Sequence, residues 1–169
     1  MFFGKEKQAL ASSTLARGTP APLDPALAHQ LRLARFKAAQ SGIYDLALAE
    51  LRAGEKKTHW MWFVLPQLKG LGHSLMADRY GIEGLDEARA YLADELLGSR
   101  LRECVATLLT HSGRRSAAEV LGVVDAIKLN SCLTLFEAAG EEPLFGAALD
   151  AFYGGERDRR TLAMVAEAA

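Results

Sequence analysis

Cysteine is scarce in this chain. Only Cys104 and Cys132 occur, each in an apolar helical register and without CxxC spacing, which argues against a disulfide framework or a zinc ribbon and fits a reducing compartment. Cytoplasm is the expected location. Charge of one sign is equally lacking: Lys plus Arg number 20 against 21 Asp plus Glu, so the chain has no general attraction for nucleic acid or an anionic membrane. No apolar run reaches the roughly 18 to 20 residues of a membrane span. MFFGKEKQAL has no apolar region followed by a small-residue cleavage site, and Glu6 interrupts the acid-free pattern of a mitochondrial presequence, in which Arg17 would be the only arginine, so neither export nor import is expected. His29, His59, His73 and His111 show no metal-type spacing with one another or with cysteine, so no metal site and no cofactor are expected. G-x-S-x-G, H-E-x-x-H and an evident Ser–His–Asp set are also missing, as are period-two alternation, Asn-Gly hairpins and repeats.

What the chain does have is 169 residues, half of them hydrophobic, enough to bury a core without staples. Residues 1–23 show no sustained period and end in Thr19-Pro20-Ala21-Pro22, which reads as an N-terminal tail and linker. Residues 24–169 read as a single helical domain. Asp24 caps a helix with Pro25 at its first position, and Leu27, Leu31, Ala34 and Ala38 recur at helical spacing to about Gln40. Tyr44, Ala47, Leu48 and Leu51 share a second helix face until Gly54. Ser74 caps a helix through Tyr80, ended by Gly81, and Asp86 caps one through Ala93. Leu97, Leu101, Cys104, Val105 and Leu108 form a long stripe ending near Ser112-Gly113. Ser116 and Glu119 make a capping box for a short helix closed by Gly122. Next, Leu129, Cys132, Leu133 and Phe136 fall on one face, with Asn130, Ser131, Thr134 and Glu137 opposite, a side expected to be wet. Pro143 opens a helix with Phe145, Leu149 and Phe152 inward, stopped at Gly154-Gly155, and Leu162 to Ala168 suits a last short one. The expected fold class is all-α, a compact multi-helix domain with an irregular Gly/Pro-containing segment near residues 54–74.

That segment carries the candidate site. Residues 57–74, KTHWMWFVLPQLKGLGHS, hold both tryptophans and two of the four histidines. Trp60 to Leu65 is expected to form a short buried helix capped at Thr58 and ended by Pro66. Each large aromatic buries roughly 150–250 Å², about 4–6 kcal/mol gross, so core packing alone accounts for Trp60, Trp62 and Phe63. It does not account for Lys56, Lys57, His59 and Gln67, which would each cost several kcal/mol if buried unpaired. They are expected to line the edge of the aromatic block, an arrangement suited to a flat anionic molecule. Gly70, Gly72 and Ser74 lead into a helix whose free N–H groups favour an anion, although a Gly-rich connection with a Ser cap explains them equally well. Asp125 is placed as an N-cap with Lys128 three residues on, either as a simple pair or, with Ser131 and Thr134, as the far wall of a pocket. Arg100 and the Arg157-Asp158-Arg159-Arg160 run could add charge, with surface ion pairs the plainer alternative.

The string KTHWMWFVLPQLKGLGHSLMADRYGI, continued by LDEARAYL, LGSRLREC and DAIKLNSCLTLF, resembles the family known as domain of unknown function 1810, over roughly residues 33–165. Its members are small, mainly bacterial, α-helical proteins, often carrying a calpastatin-like label. That label fits poorly, because such protease inhibitors are long disordered repeats. The resemblance implies a compact helical fold and a motif set of Lys56, His59, Trp60, Trp62, Pro66, Gln67, Gly70, Gly72, Ser74, Tyr80, Arg100, Asp125, Lys128, Ser131, Thr134 and Asp158. It implies no established activity. The chain departs from the family pattern at Val124, where proline is usual, and at Cys132-Leu133, which replace a smaller residue and methionine.

The expectation is therefore a cleft between residues 56–74 and 125–134 that binds a small anionic, nucleotide-like molecule. Trp60 or Trp62 would supply a wall, Lys56, Lys57 and the N–H groups near Gly72 the attraction, and Gln67, Lys128 and Ser131 the orientation. If there is turnover, a metal-independent hydrolase or transferase would use His59, the one side chain suited to acid–base work near neutral pH, with Asp125 as partner. The alternative is a protein–protein interaction module with no small ligand.

Overall fold

Local punctuation sets most helix boundaries in the computed structural model, which describes residues 18–169. Asp24 accepts the Ala26 N–H at 3.2 Å and starts α1 (Pro25–Gln40), with proline where no intrahelical N–H is needed. Gly54, at φ 72°, stops α2 (Tyr44–Ala53); the left-handed conformation suits a residue without Cβ. α3 (Met61–Val64) is one turn, and Ser74 Oγ accepts the Ala77 N–H to start α4 (Leu75–Tyr80). Asp94 ends α5 (Leu85–Ala93) and caps α6 (Glu95–Leu109). The Ser116–Glu119 capping box opens α7 (Ala117–Leu121), and Gly122, at φ 87°, turns the chain directly into α8 (Val123–Gly140). α9 (Pro143–Tyr153) and α10 (Arg159–Glu167) follow. Residues 18–24 are neither helix nor strand, and the rest of the expected tail lies outside the described residues.

The layers assemble around α8, which packs against α5, α7, α9 and α10, while α6 packs on α2, α5 and α9, and α1 lies over α3 and α5. Six aromatics thread this core in the order Phe63, Tyr80, Phe36, Tyr91, Phe136, Phe145, with successive ring centroids 5.2–6.1 Å apart, the range of favourable tilted and edge contacts. Among the described residues there is no strand, only an isolated bridge between Leu68 and Ile82. The fold is a single all-α domain, as the helical punctuation predicts. No described helix is long and apolar enough to cross a membrane.

Four local expectations are corrected. The α1 stripe faces outward: Leu27 and Leu31 are 43% and 57% exposed, whereas Leu33, Phe36 and Gln40 are buried. Polar anchors set this rotation. Arg35 reaches Glu87 at 2.6 Å and the Gly81 carbonyl at 2.9 Å, and Gln40 donates to the Phe63 carbonyl at 2.8 Å. Thr58 does not cap α3, because its hydroxyl is spent on Glu50. Asp86 lies inside α5, whose cap is Gly84. Finally, α8 has no wet side at residues 131–136, all of which are buried, because α10 and the turn before it cover Ser131 and Thr134.

Candidate functional site

Glu50 organises the loop that leads into α3. It is 7% exposed and accepts hydrogen bonds from Trp60 Nε1 (2.7 Å), Thr58 Oγ1 (2.8 Å) and the backbone N–H groups of Lys57 (3.1 Å) and Thr58 (3.3 Å). Burial alone would raise its pKa, but these donors outweigh burial and hold it below the usual glutamate value. Trp60, fully buried, is thereby fixed as a core residue. No motif in the sequence points to Glu50; the available signal is its position three residues after Ala47, on the core side of α2.

The same loop is fastened to the start of α8. Lys56 N donates to the Val120 carbonyl at 2.8 Å. Its ammonium lies 2.8 Å from Asp125 Oδ2, donates to the Thr58 carbonyl at 2.7 Å, and sits 5.0 Å from the Trp60 ring centroid. Asp125 also faces Lys128, more loosely, at 3.6 Å. Lys128 stands 4.9 Å over the Trp62 ring, a cation–π distance. Asp125 is not the cap of α8, since the helix has begun two residues earlier at Val123. Val124 therefore occupies the second helical position, where proline is also tolerated, which explains why the departure from the family pattern leaves the backbone undisturbed.

Beside Lys128 is a shallow depression lined by Met61, Trp62, Leu65, Gln67, Ala77, Tyr80, Gly81 and Lys128, with a cavity volume of about 10 Å³. Tyr80 is only 8% exposed, yet among the described residues its hydroxyl has no hydrogen-bond partner; the Gln67 amide and Trp62 indole N–H have none either. Gly81 allows the approach of the Lys69 backbone, since a Cβ there would lie 2.5 Å from Lys69 Cα.

The folded chain thus gathers Lys56, Trp60, Trp62, Gln67, Asp125 and Lys128 into one neighbourhood, but leaves other candidates elsewhere. Lys57 and His59 are exposed, and no hydrogen bond or ion pair joins His59 to Asp125 among the described residues. Gly70 adopts φ 97°, and a Cβ on Gly72 would come within 2.6 Å of Ala77 Cβ, so both glycines have conformational or packing reasons. Ser74 is occupied as the α4 cap. Ser131 Oγ donates to Asp158 Oδ2 at 3.1 Å, and Thr134 Oγ1 accepts the Asp158 N–H at 2.9 Å. Asp158 caps α10 through Thr161 N, so both hydroxyls clasp the C-terminal helix rather than line the depression. Arg100 donates to Gln40 and lies over Tyr44, and Arg157 pairs with Glu137. No group of three or more potential metal ligands occurs among the described residues.

These features define a small helical protein whose surface depression is lined by one tryptophan, one lysine and neutral polar groups without a protein partner among the described residues. The chain belongs to the family described as protein of unknown function, DUF1810, which matches residues 30–165. It is also similar to the conserved hypothetical protein Rv1873 from Mycobacterium tuberculosis, known from a crystal structure, with 50% sequence identity and a TM-score of 0.77 over 79% of this chain and 96% of that one. No curated protein matches the chain.

Proposed function

We propose that the depression between α3, α4 and α8 binds a small anionic group. Lys128 supplies the charge, Gln67 and Tyr80 the hydrogen bonds, and Trp62 a flat wall. The observation that carries this reading is the nine-tenths-buried Tyr80, whose hydroxyl lacks an internal partner in a depression with a lysine on its wall. The hydroxyl is not sealed from water, and a bound oxyanion would accept its hydrogen bond in place of solvent. Its cavity volume of about 10 Å³ is room for about one water, far below the roughly 300–1,000 Å³ of ordinary ligand pockets. A nucleotide-like molecule would insert only its anionic end. The reading stops at binding, because His59 and Asp125 are not in contact. A reducing, cytoplasmic setting belongs to the same proposal, supported by two free buried thiols, of which Cys104 is pushed up to about 12 by burial.

The test is a thermal-shift screen of small carboxylates, inorganic phosphate and phosphorylated metabolites against the wild type and Lys128→Ala. A ligand at 100 times its dissociation constant adds about 2.7 kcal/mol of stability, which the variant should lose. Equal shifts in both proteins would remove Lys128 from the site.

A second reading, a surface for a partner chain, is supported by Val123, Val124 and Ile127, exposed at 70%, 66% and 66% on the first two turns of α8 beside Lys128. In that case no small anion stabilises the protein, and Ile127→Asp weakens association with the partner.

A further inference from the structure

The charges around the depression specify which kind of anion it suits. Among the described residues, Lys128 is the only charged side chain on its lining. One contact away, Asp125 lies 2.8 Å from Lys56 and 3.6 Å from Lys128. Lys56 is committed elsewhere: its side chain is 8% exposed, and its ammonium also donates to the Thr58 carbonyl at 2.7 Å. Lys56 and Asp125 therefore cancel, and the group of three leaves one positive charge, carried by the lysine that faces the depression.

On the basis of the anion-binding reading above, we propose that the site takes a monoanionic carboxylate in preference to a phosphate. A carboxylate brings the local charge to zero. A phosphate monoester or inorganic phosphate carries about −1.5 to −2 near neutral pH, leaving up to about one negative charge beside Asp125, where only neutral donors remain to hold it. Uncompensated charge in a partly dry site is strongly disfavoured. Donor number agrees with charge. A carboxylate offers about four lone-pair sites, and the lining residues Lys128, Gln67, Tyr80 and Trp62 carry four kinds of donor, an ammonium, an amide, a hydroxyl and an indole N–H. The cavity of about 10 Å³ has room for about one oxygen atom of the carboxylate, so any substituent stays outside it, against the mouth.

Asp125 acquires a specific role in this account. It is an internal carboxylate that sets the net charge seen by a ligand, so it is a specificity determinant that need not touch the ligand. Neutralising it by Asp125→Asn raises the local charge by one and should move the preference toward phosphate.

The experiment is a titration of uniformly ¹⁵N-labelled full-length protein with acetate, benzoate and inorganic phosphate at pH 7.5 and matched ionic strength, following the indole N–H signals of Trp60 and Trp62. The expected result is saturable movement of the Trp62 signal with a carboxylate, and phosphate weaker by at least about tenfold, equivalent to about 1.4 kcal/mol. Phosphate binding as tightly as the carboxylates at the Trp62 signal would overturn the selectivity while leaving the anion-binding reading standing. No saturable movement with any of the three would overturn both. In Asp125→Asn the phosphate-to-carboxylate affinity ratio should rise by at least about tenfold; an unchanged ratio in the folded variant would overturn the role given to Asp125. That variant leaves Lys56 without its partner, so the wild-type ratio is the decisive measurement of carboxylate preference.

Discussion

Replacing Glu50 by alanine should cost about 3–6 kcal/mol of folding stability, although the residue touches no ligand and belongs to no recognised motif. The sum follows from its four donors. Trp60 is fully buried, so its indole N–H would lose a charge-assisted bond and find no water, a loss of about 1.5–3 kcal/mol. The backbone N–H groups of Lys57 and Thr58 and the Thr58 hydroxyl belong to exposed residues and can rehydrate, so each forfeits only about 0.5–1 kcal/mol. Glu50→Gln should be milder, about 1–2 kcal/mol, because one amide oxygen can still serve the three N–H donors that meet on Glu50 Oε2 as neutral bonds. Urea unfolding followed by circular dichroism measures both values, with an unchanged m-value as the check that the denatured state is the same. If Glu50→Ala lies within about 1 kcal/mol of the wild type, the idea that this carboxylate holds the Trp60 loop is wrong.

Acid should destabilise the protein in a defined direction. Glu50 and Asp94 are held low because their hydrogen bonds outweigh burial, and Glu142 because of its hydrogen bonds from Arg102. Their contributions are complete above the unfolded values, near 3.9–4.3, and disappear as pH falls through the lower folded values. Melting temperature should thus decline steeply below about pH 4.5, and Glu50→Gln should flatten part of that decline; identical slopes would contradict the assignment. Gly72→Ala should cost about 1–3 kcal/mol, since the new Cβ meets Ala77 Cβ at 2.6 Å, and thermal melts with no change would show that α4 moves aside freely. Asp158→Ala removes the α10 cap, with an expected loss of about 1–2 kcal/mol. Hydrogen exchange should then quicken in α10 and leave α6 protected; uniform acceleration would mean that the clasp supports the whole fold.

Helix ends are readable from the chain because caps are local: Asp24-Pro25, Ser74, Ser116 with Glu119, and the glycines 54, 122 and 154 act within a few residues of themselves. Helix orientation is less readable. α1 carries leucines on two sides, and the choice between them is made by Arg35 and Gln40 reaching partners 52 and 51 residues away in Glu87 and Tyr91. The same limit divides the candidate site. Lys56, Trp62, Gln67, Asp125 and Lys128 come together because the loop before α3 docks on α8. Ser131 and Thr134 look solvent-facing by arithmetic, yet they are covered by a helix that begins 25 residues after Thr134. Glu50 carries no motif, since an acidic residue on a helix border usually stays in water. Tyr80 enters through the family resemblance alone, and only the packing of α4 against α3 places it on the lining of the depression.

The placement of the two indoles makes this chain its own pair of optical probes. Trp60, sealed beneath the 55–60 loop and bonded to a carboxylate, should emit in a way that changes only when that loop comes apart. Trp62, half-open under an ammonium group, should respond to whatever displaces or neutralises the cation. Single-tryptophan versions would therefore separate unfolding from occupancy in one cuvette, without an added dye and before any ligand has been identified.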